Sequence, residues 1–328
     1  MNDAQFDLRQ LRQFAVLAEE CHFGRAAARL AMTQPPLTQA IQRLEAALGA
    51  RLFERTQRRV ALSPAGAVLL PLARKLLEGA DALAPAVRAA AAGLSGQLRL
   101  AFVSSVTYGP LPAWLSGFRA AYPDVALSLR EATLDVQLEL FAAGEIDAGF
   151  VLHAPGAVPP GFEHVRVIDE ALVMALPDGH AAWKSHTAAA TAAMPRLRWR
   201  DVHAEPLVIF PRQIAPSLFD ALVSAYHAGG DTMRIAQQAI QMQTIVNLVS
   251  GDIGVAWVPE SVTQFRRAGV VYRRAAEFAP AARCRSAPAL PVCETSLVWP
   301  EGANNPALAR FVAFVRERGA RQKEGGIA

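Results

Sequence analysis

The chain has 328 residues, 52% hydrophobic and 19% charged, which excludes a disordered or low-complexity protein and suits two or three folded domains. Its net charge of +4 is unevenly placed: residues 1–97 hold twelve Lys/Arg against eight Asp/Glu, and the rest of the chain is neutral. No run reaches the ~18 apolar residues of a membrane span. The opening MNDAQFDLRQ is too polar for a secretory signal. Three cysteines (Cys21, Cys284, Cys293) argue against a disulfide scaffold and for a reducing, cytoplasmic setting.

Asp7 is placed to cap a first helix with apolar positions Leu8, Leu11, Ala15 and Val16, and Phe6 with Leu11 has the spacing of a hydrophobic staple. A second short helix is expected after Gly24, with Ala26, Ala27 and Leu30 inward; alanines there let another helix cross closely. Ala31 and Met32 make a tight turn. Thr33 is placed to cap a third helix, with Pro35 and Pro36 in the first turn, where backbone N–H groups lack intrahelical partners. Leu37, Ile41, Leu44 and Leu48 then follow at spacings of four, three and four, giving one buried face, and Gly49 ends the helix. The other face presents Gln34, Thr38, Gln39, Gln42 and Arg43. Arg51–Arg55 and Val60–Leu62 read as two short strands around a turn at 57–59. Three helices and a hairpin predict a winged helix-turn-helix domain over 1–62.

Ser63-Pro64 opens a long helix over 63–92, serine as cap and proline at the first helical position. Leu69, Leu72, Leu76, Leu83 and Val87 form its apolar stripe, and Pro85 is a candidate kink. Such a stripe is best buried against a second copy, which predicts a homodimer. Gly93, Ser95 and Gly96 suggest a hinge at 93–97.

From Leu98 strands and helices alternate: LRLAFVS, a helix over Pro112–Ala121, VALSLRE, a helix over Asp135–Ala143, and a strand over Asp147–Leu152. This βαβαβ order predicts a parallel sheet. A second set follows: strands Leu172–Leu176 and Leu207–Phe210, helices near Ser217–His227 and Met242–Ser250, the strand GVAWVP, and a last helix over Pro306–Arg318. Residues 277–291, rich in Ala, Pro and Arg, read as a long loop. The fold class is thus α/β and multidomain. A two-lobed α/β body has 98–168 with 275–320 as one lobe and 169–274 as the other, and a ligand cleft between them.

A helix fits the major groove of DNA, and Gln34, Gln39 and Gln42 can each pair donor and acceptor with adenine. Arg43 can reach a base or a phosphate; Arg58 and Arg59 suit a narrow A·T-rich minor groove, and Arg51 and Arg55 suit phosphates or internal pairs. In the body, Ser104, Ser105 and Thr107 follow the first strand, and Thr133 and Leu134 follow the second. Ligands bind past the carboxyl ends of parallel strands, where hydroxyls and free N–H groups hold small carboxylates. His153, just after a strand, is a candidate ligand contact or a polar rim residue. No nucleophile elbow, zincin motif, P-loop or dinucleotide fingerprint is present, so no catalytic residue, metal or cofactor is expected.

Residues 8–66, LRQLRQFAVLAEECHFGRAAARLAMTQPPLTQAIQRLEAALGARLFERTQRRVALSPAG, closely resemble the helix-turn-helix of LysR-type transcriptional regulators. LRLAFVSSVTYGPLP, EIDAGFVL and QMQTIVNLVSGDIGVAWVP resemble the effector domain of the same family, and FVSSVTYGPLP its muconate-responsive, aromatic-catabolism branch. The resemblance covers about 6–275. It implies that Thr33, Gln34, Pro35, Thr38 and Gln39 face double-stranded DNA and that Arg55, Arg58 and Arg59 belong to the wing. It places Ser104 and Ser105 in an inducer cleft, opposite Phe210, Pro211 and the segment through Pro216. It implies a periplasmic-binding-protein-like effector domain, a dimer or tetramer, and contact with RNA polymerase.

Three positions depart from the pattern. Gln39 stands where many relatives have arginine, Leu134 where the muconate branch has threonine, and Leu152-His153 where many relatives have arginine. Losing the carboxylate partners at the last two, worth roughly 1.5–3 kcal/mol each, favours a less charged or more apolar aromatic metabolite over muconate. The expectation is a cytoplasmic, sequence-specific DNA-binding regulator controlled by a small-molecule inducer. Two alternatives stay open: a small-molecule-binding protein that dimerises through its N-terminal helices, and an α/β hydrolase using Ser104 or Ser105.

Overall fold

The computed structural model describes residues 6–55, 60–180, 196–197, 203–275 and 292–325. The wing residues Arg58 and Arg59 and the expected loop at 277–291 lie outside the described residues. The chain divides into two compact units, Met1–Ala89 and Ala90–Ala328.

The first unit opens with α1 (Leu8–Glu20). Asp7 accepts a hydrogen bond from the Gln10 amide at 2.8 Å, and the Gln10 side chain accepts one from the Asp7 amide at 3.0 Å, a reciprocal capping box. α2 (Phe23–Arg29) begins one residue before Gly24, because the His22 ring caps it by accepting from the Arg25 amide. α3 (Gln34–Leu48) has Thr33 at its cap position, but the threonine side chain makes no capping bond; Pro35 and Pro36 carry no N–H, which removes donors the cap would otherwise serve. Gly49 ends α3 in the left-handed region at φ 65. Leu11, Ala26, Ala27, Leu37, Ile41 and Leu44 are in the core as the spacing predicts, with Phe6 at its edge; on α1 Phe14 and Leu17 join them and the expected Leu8 is exposed.

β1 (Phe53–Arg55) pairs antiparallel with β2 (Val60–Leu62). β1 is two residues shorter than expected, since Leu52 and Phe53 give their amides to the Glu45 carboxylate. α4 (Pro64–Ala91) is capped by Ser63, whose Oγ accepts from the Gly66 amide at 3.0 Å and donates to the Arg51 carbonyl at 2.6 Å. Gly66 sits where a Cβ would lie 2.1 Å from the Leu52 carbonyl oxygen, so only glycine lets α4 approach the hairpin this closely. The helix runs through Pro71 and Pro85. Its inner face, with Ala73 fully buried and Leu69, Leu70 and Leu77 partly so, packs on the helix-turn-helix core. Leu69 therefore leaves the expected outer stripe, which instead comprises Val68, Leu72, Leu76, Leu83 and Val87, all exposed. Arg74–Glu19 (2.9 Å) and Arg12–Asp81 (2.7 Å) pair α4 with α1.

The second unit is built on one eight-stranded sheet. β3 (Gly96–Phe102) lies between β4 (Val125–Glu131) and β5 (Ala148–His153), all parallel, as the βαβαβ order predicts. α5 (Leu111–Ala121) and α6 (Leu134–Ala142) are the crossovers. The sheet is not parallel throughout. β6 (Phe162–Pro177) and the later β12 (Val292–Pro300) pair antiparallel with each other, and β12 pairs antiparallel with β5. The sequence reading assigned only Leu172–Leu176 of β6 and missed β12. These two long strands run from one lobe into the other.

β7 (Arg196–Leu197), β8 (Leu207–Ile209), α7 (Pro216–Ala228), β9 (Ile235–Gln238), α8 (Met242–Ser250), β10 (Ala256–Pro259) and β11 (Val270–Ala275) complete the second lobe. α9 (Pro306–Gly325) returns to the first. Each lobe has its own core: Trp114, Phe118, Phe150 and Phe311 in one, Met174, Leu222, Tyr226 and Trp257 in the other. Gly93, at φ 68, lies against the Pro306 carbonyl, where a Cβ would come within 2.3 Å, and Arg310 donates to the Ala92 carbonyl at 2.9 Å.

Arg99 on β3 donates to Asp147 from its backbone amide (2.7 Å) and from Nε and Nη2 (3.1 and 2.8 Å), fixing the start of β5 beside β3. Burial pushes the Asp147 carboxyl up, but these bonds outweigh it and hold it below its usual 3.8. A depressed folded value means the stabilisation is present above about 3.8 and is lost as pH falls through the folded value. Asp147→Asn is therefore expected to cost about 1–3 kcal/mol at pH 7. In urea titrations the gap to wild type is expected to persist at and above about pH 3.8 and to narrow as pH falls below it.

Candidate DNA-binding face and effector cavity

In the first unit, α3 turns Leu37, Ile41 and Leu44 inward. At 100° per residue, Pro35 and Gln39 then lie opposite the buried face, flanked by Gln42 and Arg43. Thr33, Gln34, Pro35, Gln39, Gln42 and Arg43 are all exposed. Thr38 is half-buried, and its Oγ1 donates to the Gln34 carbonyl at 3.1 Å, so the hydroxyl still has acceptor capacity for a partner. The face is polar, amide-rich and free of carboxylates. Arg55 closes β1, paired with Val60.

In the second unit, a cavity opens past the carboxyl ends of β3 and β4. Its lining includes Ser104, Ser105 and Thr133 from the first lobe and Phe210, Ile214, Ala215, Gln241 and Met242 from the second. Ser104 and Ser105 begin a single 3-10 turn (Ser104–Tyr108) after β3. Ser104 Oγ accepts from the Met242 amide at 3.4 Å, bridging the first lobe to the start of α8. Ser105 is only 3% exposed, and its Oγ has no hydrogen-bond partner. Gln241, at the cap position of α8, makes no side-chain cap, and Ser104 serves the first amide of the helix in its place.

Several expected contacts fall elsewhere. Thr107 does not line the cavity, because its Oγ1 turns back to the Ser104 carbonyl at 2.6 Å. Leu134 does not line it either: Thr133 is the cap residue of α6, so Thr133 faces the cavity and Leu134 begins the helix. Thr133 brings a hydroxyl to the wall one residue before the expected position, but its single proton is already committed within α6. Thr133 Oγ1 donates to Asp135. His153 is buried, not on a rim. A carbonyl can only accept, so Nδ1, 2.7 Å from the Ala154 oxygen, carries the proton, and Nε2 accepts from Ser296 Oγ at 2.9 Å. The cause is β12, which lies over β5 with Glu294 paired to His153. Phe210 lines the cavity, whereas Pro211 precedes a short turn and Pro216 opens α7; between them Ile214 and Ala215 form the wall.

Sequence reasoning missed Glu131, Leu152, Ile240, Gln241 and Met242 as lining residues. Glu131 ends β4, and its carboxylate acts on the Tyr108 phenol, which burial chiefly pushes up. A charged residue directly before Ala132-Thr133 was a usable signal for it; Ile240 and Met242 reach the cavity only through the packing of the second lobe.

Ser296, His153 and Glu294 form a serine–histidine–carboxylate row, but Ser296 and His153 are sealed from solvent and Glu294 is held by the Gly156 amide (3.0 Å) and Arg166 (3.2 Å). The row cross-links β5 to β12. Among the described residues no group of His, Cys, Asp or Glu could hold a metal ion, and no helix is long and apolar enough to cross a membrane.

Residues 8–67 match the bacterial regulatory helix-turn-helix protein, lysR family, and residues 91–320 match the LysR substrate binding domain. The chain belongs to the LysR family. It is a DNA-binding transcriptional regulator with a ligand-binding substrate domain, as the resemblance implies. It is 40% identical to the HTH-type transcriptional regulator IlvR of Caulobacter vibrioides over 96% of this chain and 99% of that protein. It is 32% identical to TcbR of Pseudomonas sp. strain P51 over 94% and 98%. The crystal structure of full-length CbnR complexed with the target DNA is similar along 96% of this chain and all of its own, with a TM-score of 0.76 and 30% identity. The family is one of transcriptional regulators, not of enzymes.

Proposed function

We propose that this LysR-family regulator reads operator DNA through Gln34, Pro35, Thr38, Gln39, Gln42 and Arg43 of α3, with Thr33 at the helix start and Arg55, Arg58 and Arg59 on the phosphates or minor groove beside it. The observation that carries this reading is the exposed amide face of α3 opposite a fully buried apolar one, with side chains that suit adenine edges. The similarity to CbnR complexed with the target DNA supports it.

Binding relies on two copies. The exposed stripe Val68, Leu72, Leu76, Leu83 and Val87 of α4 is the dimer seam, and two α3 helices meet two half-sites. The unpaired edge of β4, with Leu129 exposed, offers a further self-association surface for a tetramer. A small molecule in the Ser104–Ser105–Thr133 cavity favours one lobe arrangement and so biases DNA binding and contact with RNA polymerase; it can do so only by unequal affinity for the arrangements. The family of transcriptional regulators it belongs to supports reading it as a cytoplasmic regulator without catalysis.

Arg58→Ala with Arg59→Ala tests the wing. If both meet phosphates in each of the two copies, the slope of log affinity against log salt falls by about 3.6. An unchanged slope in gel-shift titrations from 50 to 200 mM salt removes the wing from the interface.

A further inference from the structure

The polar inventory of the effector cavity is unusual in its signs. Glu131 lines it, and no Lys, Arg or His does among the described residues. The groups that favour an anion are neutral: the Ser104 and Ser105 hydroxyls beside the start of α8, where Gln241 makes no cap of its own and Ser104 takes the Met242 amide. Ser105 is the pointed one, a buried hydroxyl without a partner at the cavity wall. Anion and cation preferences therefore sit side by side. Glu131 pairs with Phe102 across the β3–β4 ladder, and Ser104 stands two residues beyond Phe102. Neighbouring strands lie about 4.8 Å apart, so Glu131 and the Ser104–Ser105 turn leave adjacent strand ends, where one small zwitterion can meet both. Thr133, whose hydroxyl donates to Asp135, and Gln241 complete the polar lining, and Leu152, Phe210 and Ile214 supply an apolar wall.

Resting on the reading of this cavity as the effector site, we propose that its ligand is an α-amino acid with an apolar side chain. The carboxylate meets Ser105 and the α8 start, the ammonium meets Glu131, and the side chain packs on Leu152, Phe210 and Ile214. A dicarboxylate such as muconate brings a second negative charge to a site that already holds one and has no cation to receive it. An amine-free monocarboxylate brings no cation to Glu131, whose exposed carboxylate then repels the ligand's own.

The test titrates the full-length protein by calorimetry with L-leucine, L-phenylalanine, their amine-free counterparts 4-methylpentanoate and 3-phenylpropanoate, and cis,cis-muconate. The expected result is that one amino acid binds at least about 10-fold tighter than its amine-free counterpart and than muconate. Glu131→Gln collapses that ratio to within about twofold. Equal or tighter binding of an amine-free acid or muconate overturns the proposal, as does binding by neither amino acid, or a ratio that survives Glu131→Gln. Ser105→Phe separates the two levels of the argument. If it leaves amino-acid binding untouched, the cavity is not the effector site; if it blocks binding while the amine makes no difference, only the ligand class is wrong.

Discussion

Aspartate at both Leu72 and Leu76 is expected to leave the first unit folded and the protein monomeric, with operator affinity reduced by about 10²–10⁴-fold. These residues are 56% and 54% exposed in the single chain, so the substitutions remove little burial from the fold itself. What they remove is a self-complementary surface: a leucine side chain that becomes buried contributes roughly 1.5–3 kcal/mol, and each copy offers two. Four carboxylates would face one another across a two-fold seam. A monomer contacts one half-site and loses the effective concentration that links the second contact to the first. Sedimentation and gel shift on one preparation test this. A dimer that persists in the double variant moves the seam off α4. A monomer of unchanged operator affinity removes bivalency from the mechanism. Leu69→Asp should behave differently, unfolding the first unit, because Leu69 packs on its core.

Phenylalanine at Ser105 is expected to abolish the effector response, with effector affinity down at least about 100-fold, while operator affinity without effector stays within about twofold. Ser105 is buried at the cavity wall with an unpaired hydroxyl, and a ring there occupies space that the ligand needs. Ser105→Ala removes only the hydrogen bond and is expected to cost about 10-fold, near the 1.5 kcal/mol of a charge-assisted bond. The graded pair separates loss of space from loss of a donor. A Phe variant that still responds fully places the effector elsewhere.

The helix-turn-helix was legible almost to the residue because its signals are local. The four-three-four apolar spacing of α3, the Ser63-Pro64 start of α4 and the alanines of α2 each depend on near neighbours. The antiparallel half of the large sheet was not legible. β12 buries Glu294, Thr295 and Ser296, so its middle reads as polar, and the first half of β6 alternates charged and apolar residues at the surface. Both pairings are long-range, and no local pattern announces them. The same distance hid the fate of His153, which a strand some 140 residues later covers. Thr133 and Leu134 differ by one residue, and which of them faces the cavity depends on where β4 ends and α6 begins. Ile240 and Met242 enter the cavity only after the second lobe has folded over the first.

The account stands on α3 presenting an amide-lined face to duplex DNA. DNase footprinting of the purified protein on the fragment upstream of its own gene, in competition with scrambled duplex of equal length, tests this most directly. The account predicts a protected, imperfectly two-fold symmetric site that survives a large excess of scrambled competitor and is lost when Gln39 and Gln42 are both alanine. Protection that scrambled duplex removes as readily as specific duplex, or that the double alanine variant retains in full, contradicts it.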